Sequence, residues 1–132
     1  MSTLDEIEDY IKWFSNNAKS TDLTAISLTL GKMSTQCYFF SKLVSDAYDL
    51  KNEAEDEFKT VRSAFIRDYS GGVTKAQAIA EADPLVREKR LAFTKADSVY
   101  ARMKNYAGQF EQIMDAKRQF ISVEKSLNVK NI

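Results

Sequence analysis

The chain has 132 residues, 44% apolar and 29% charged, with nineteen acids balanced by nineteen lysines and arginines. That length supports one domain with a modest core, and that composition is globular rather than disordered. There is no histidine and only one cysteine, which removes the commonest general base, the commonest zinc ligand, any Cys-His nucleophile pair and any internal disulfide.

Thr3-Leu4-Asp5-Glu6 has the form of a capping box, a hydroxyl at the N-cap with a carboxylate three residues on. It predicts a short helix to about residue 15, with Leu4, Ile7, Ile11 and Phe14 along one face. Asp5, Glu6, Glu8 and Asp9 fall in its first turns, where the helix dipole favours acids. The polar stretch SNNAKSTD (15–22) breaks this helix, and Ser20, Thr21 or Asp22 is placed to cap the next one. From Leu23 apolar residues recur at alternating steps of three and four: Leu23, Ile26, Leu30, Met33, Cys37, Phe40, Val44, Ala47, Ala54, Phe58, Val61 and Phe65. The register misses only at Lys51, which predicts one helix over 22–69. Gly31 lies off the stripe, where glycine costs about 1 kcal/mol relative to alanine.

Ser70-Gly71-Gly72 ends that helix, because glycine reaches left-handed backbone conformations at little cost. Thr74-Lys75-Ala76-Gln77 repeats the capping-box pattern and predicts one or two helical turns. Asp83-Pro84 then reads as the N-cap and first residue of a last helix over 84–126. Three heptad lines of this helix are apolar. One is Leu85, Ala92, Val99, Tyr106, Ile113 and Phe120; a second is Ala96, Met103 and Phe110, interrupted by Lys89, Lys117 and Glu124; a third is Val86, Phe93, Tyr100, Ala107, Met114 and Ile121. A stripe that wide exceeds the seam of a two-stranded coiled coil. The expected fold is all-α and a single domain over 1–132: a long antiparallel helical hairpin with a short N-terminal helix and a short helix at the turn. Two such stripes cannot cover each other, so a homo-oligomer is expected, with Val99, Met103, Tyr106, Phe110 and Ile113 as its contact residues.

Charge is unevenly distributed. Residues 1–57 hold eleven acids and five lysines, whereas residues 58–132 hold fourteen basic residues, all six arginines among them, and eight acids. Such asymmetry points to an anionic partner or to self-association. The hairpin gathers Lys59, Arg62, Arg67, Lys75, Arg87, Lys89, Arg90 and Lys95 at the turn, with Tyr69 and Phe93 as aromatic faces among them. Cations interleaved with rings suit single-stranded nucleic acid, charge for phosphates and rings for unstacked bases. The nucleic-acid-binding residues expected are Arg62, Arg67, Tyr69, Lys75, Arg87, Lys89 and Arg90. Asp46, Asp49, Glu53, Glu55, Asp56 and Glu57 are expected at the opposite end, and Asp83 has the spacing to bridge Arg87.

Acids and lysines are otherwise scattered, with no glycine-rich phosphate loop, so no enzyme, cofactor or metal is expected. Cys37, beside Tyr38, Phe39 and Phe40, is expected to be a buried, reduced thiol that fills core space. The acidic start carries no signal-like segment, and no apolar run approaches the roughly 20 residues that span a bilayer. A cytoplasmic protein without membrane contact is expected.

Trp13 in the first helix, Asp22-Leu23 after the break, Phe40-Ser41-Lys42, Asp68-Tyr69-Ser70-Gly71 and Ala116-Lys117-Arg118 follow one another in an order that resembles the phage recombination mediators of the UvsY type. The resemblance implies a small helical oligomer in the host cytoplasm. It would bind single-stranded DNA and help a RecA-like recombinase load onto strands coated by single-strand-binding protein. Where those mediators carry a basic Lys-x-Arg pair before the tyrosine and glycine, this chain reads Ser63-Ala64-Phe65-Ile66-Arg67, with Arg62 just upstream. The alternative is a phage-type protein-binding helical module, an inhibitor of a host system or an assembly factor, acting through its acidic half.

Overall fold

The computed structural model describes residues 3–17, 22–69 and 71–130, with side chains to residue 127. Four helices and no strand make up the described chain: α1 (Thr3–Asn16), α2 (Leu23–Asp68), α3 (Val73–Ala80) and α4 (Pro84–Lys130). Tyr48 meets Tyr100 and Phe58 meets Phe93, so residue numbers rise along α2 as they fall along α4. The fold is the expected all-α antiparallel hairpin, with one short helix before it and one at the turn. α4 continues past residue 126, with neither proline nor glycine after Gly108 to stop it.

Local chemistry explains most of the helix ends. The Asp22 carboxylate accepts a hydrogen bond from the Ala25 amide at 3.2 Å, capping α2. Asp83 Oδ2 accepts from the amides of Leu85 (3.1 Å) and Val86 (3.0 Å), with Pro84 at the first position where no donor is needed. That carboxylate is therefore spent on the backbone and forms no bridge to Arg87, contrary to the spacing-based expectation. Two other caps differ. Thr3 is already inside α1, and Thr74 does not cap α3: the N-cap is Gly72, at φ 95° and ψ 155°, with no side-chain hydrogen bond. A positive φ with extended ψ is a region for glycine alone, so backbone freedom rather than a hydroxyl starts α3. Ser20, Thr21 and Ser70 lie outside the described residues.

Contacts divide the chain into two units, Met1–Leu43 with Lys104–Ile132, and Val44–Met103. The first unit holds the large buried side chains: Ile7 and Phe14 of α1, Ile26, Leu30, Met33 and Phe40 of α2, and Phe110 and Met114 of α4. Each such side chain, fully buried, contributes about 1.5–3 kcal/mol of transfer free energy. The second unit is differently built. Its buried apolar residues are Ala47, Ala76, Ala80 and Val86, and of its rings Phe58, Phe65, Tyr69, Phe93 and Tyr100 are half-buried and Tyr48 is exposed.

The buried stripe of α2 is the one the periodicity gives. The buried face of α4 is Val86, Phe93, Tyr100, Ala107, Met114 and Ile121 together with Ala96, Met103 and Phe110. The remaining heptad line splits: Leu85, Ala92 and Val99 are exposed, whereas Tyr106, Ile113 and Phe120 are half-buried. Lys51, the one break in the α2 stripe, is accommodated between Tyr48 and Tyr100, its ammonium 5.2 Å from each ring centroid.

Candidate nucleic-acid interface

The turn of the second unit is where the cations of α2, α3 and α4 lie, and four of the eight expected there, Lys59, Arg62, Lys89 and Arg90, are already paired with carboxylates. Glu81, just after α3, is the hub. Its Oε1 accepts from Arg62 Nε at 2.9 Å, and its Oε2 pairs with the Arg90 guanidinium. One carboxylate thus ties α2 to α4 through two arginines, with all three side chains roughly one-third to two-fifths exposed. Arg90 also lies over the Phe58 ring at 5.4 Å, and Phe58 stacks on Phe93 at 6.3 Å. Lys89 donates to Glu57 Oε2 at 3.2 Å.

Two of the α2 acids expected at the opposite end instead reach cations of the turn: Glu57 is bound to Lys89 and Glu55 to Lys59 at 2.7 Å. This Lys59 pair holds the Glu55 carboxyl below its ordinary range, first through their hydrogen bond and then through charge.

Three of the expected cations remain available. Arg87 and Lys75 are exposed, and among the described residues neither has a carboxylate partner. Among the described residues Arg67 pairs with its neighbour Asp68 at 3.3 Å, with both side chains about three-quarters exposed, an arrangement worth little in water. Arg87 opens onto a shallow cleft with Pro84, Glu88, Arg90, Leu91 and Thr94. Tyr69 is not a free ring among cations; it is half-buried and stacked on Phe65, centroids 6.2 Å apart and planes 14° apart. A Cβ on Gly71 would come within 2.5 Å of that tyrosine ring, so the glycine lets the chain pass close over the stack.

The residues expected at an oligomer contact divide as well. Phe110 is completely buried inside the first unit, Met103, Tyr106 and Ile113 are half-buried, and Val99 is 49% exposed. Cys37 is half-buried rather than buried, and desolvation raises its thiol above the ordinary value, with Glu111 adding to the rise and Arg118 opposing it. Among the described residues, no helix is long and apolar enough to cross a membrane.

Glu81 is the cross-helix partner of Arg62 and Arg90 that the sequence pattern does not assign. Its partners are nineteen residues before it and nine after it, so no helical i, i+4 spacing marks it. The chain matches no protein-family model, no curated protein and no solved structure.

Proposed function

We propose that this chain is a non-enzymatic, single-stranded-DNA-binding protein of the recombination-mediator kind, which helps a RecA-like recombinase load onto strands coated by single-strand-binding protein. One observation carries the reading: Lys75 in the first turn of α3 and Arg87 in the first turn of α4 are exposed and, among the described residues, have no carboxylate committed to them, and Arg67 is paired with an exposed neighbour, Asp68. Cations left free in this way exchange counterions for phosphates, and each neutralised phosphate adds to affinity and to its salt dependence. Arg62 and Arg90, held by Glu81, and Lys89, held by Glu57, are less available for phosphates.

The test is binding of a fluorescent oligo-dT at two salt concentrations, with duplex DNA as control. Salt-sensitive binding to the single strand is expected. Arg87→Ala or Lys75→Ala should each weaken it and lower the slope of log affinity against log salt by about 1. Glu81→Gln, which releases two arginines from one carboxylate, should tighten it. No binding at low salt would overturn the proposal and leave the protein-binding module as the working alternative.

A further inference from the structure

On one side of the second unit, Ala47 and Leu50 of α2 and Ala92, Ala96 and Val99 of α4 line an open apolar groove. Leu50 is 60% exposed and Val99 49% exposed. This unit has the thin core, alanines and one valine, so the groove is apolar surface that the chain's own packing leaves uncovered.

The charges beside the groove are sorted by helix. A turn of about 100° per residue places Asp46 and Glu53 next to Leu50 on the outer flank of α2. Lys95 lines the groove from α4, and Arg102 adjoins Val99. All four are exposed, and among the described residues none forms an ion pair within the chain. One rim is acidic and the other basic, with an apolar floor between them.

We infer that this face is the contact with a second copy of the chain, related by a two-fold axis parallel to the helices. That operation lays α2 of one copy over α4 of the other, antiparallel, and keeps each residue at its own height. Tyr48 and Tyr100 are level, since their rings meet. Asp46, two residues before Tyr48, therefore faces Arg102 of the other copy, two residues after Tyr100. Glu53 and Lys95, five residues from the same tyrosines on the other side, face each other likewise. The pairing buries Leu50 and Val99 in a four-helix layer and neutralises every one of the four unpaired charges. It does not use Arg67, Lys75 or Arg87, so it stands apart from the DNA-binding reading.

The test is sedimentation equilibrium of the full chain, without DNA, across a concentration series. A mass of two 15.0 kDa chains is expected. Glu53→Lys alone, and Lys95→Glu alone, should each weaken association by roughly tenfold or more, because like charges then meet at both symmetric positions. The combined variant should restore it. Both side chains are exposed, so helical circular dichroism should be unchanged in all three variants. A larger wild-type assembly with the same loss and rescue also supports this face as the subunit contact. A monomeric wild type, single reversals without effect, or a combined variant that fails to recover would overturn the inference. With no DNA present, these outcomes are separate from the oligonucleotide result.

Discussion

Single residues decide several features that a pattern search weighs wrongly. Lys51 looks like a flaw in an apolar stripe, yet its aliphatic stem can lie along the helix face while two tyrosine rings receive its charge. Asp83 is legible as a cap, and Asp22 as one of three candidates, because a cap is a local event, a short carboxylate reaching amides two or three residues on. Thr74 has the same local signature but loses to Gly72, since the chain must turn through φ 95° to enter α3. Gly72→Ala should therefore cost about 1–3 kcal/mol, whereas an alanine at a merely exposed loop glycine would be near neutral. Urea unfolding followed by circular dichroism reads this as a lower midpoint with an unchanged slope. An unchanged midpoint would mean that the turn relaxes to a conformation open to any residue.

At the scale of the element, period governs. In α2 the three-four alternation runs unbroken through Gly31, and the helix does too. Gly31 is exposed, and a Cβ added there would meet nothing within 4 Å. Gly31→Ala should consequently stabilise by about 1 kcal/mol through helix propensity alone, a rise of about 3–5 °C in Tm for a chain of this size. A lower Tm would mean that the helix bends or meets another surface there. In α4 the period is equally clear but ambiguous, because three adjacent lines are apolar and a helix can bury only the faces that meet a neighbour. Nothing within the α4 sequence says that Val99 faces outward while Tyr100 and Met103 turn in; the position of α2 decides it.

Across the whole molecule, the contrast between the two units matters most. The first has α1 to pack with α2 and α4, and so buries rings and long aliphatic side chains. The second has only the eight-residue α3 besides the two long helices, and its buried apolar side chains are three alanines and one valine. Phe110→Asp should unfold the first unit. Losing a buried phenylalanine costs about 3–5 kcal/mol, and an unpaired buried carboxylate adds several more, comparable with the total stability of a small domain. Val99→Asp, at an exposed position, should keep the helical signal. Loss of cooperative melting in the first variant and its retention in the second is the expected pair of results; the reverse would mean that the assigned faces are exchanged.

By itself the sequence determined the helical class, the four helices, the turn at the paired glycines and the Asp83 cap, and it narrowed the α2 cap to Ser20, Thr21 or Asp22. Each depends on propensity and on contacts only a few residues apart, which the order of residues records directly. The tertiary structure decided which α4 line is buried, that Glu81 holds Arg62 and Arg90, that Glu57 holds Lys89, and that Tyr69 stacks on Phe65 instead of standing free. Most of these depend on the register between α2 and α4, where a shift of one residue turns a helix by about 100° and changes which charges meet. Charge composition announces that cations are present at the turn; only the fold shows which of them already have a partner.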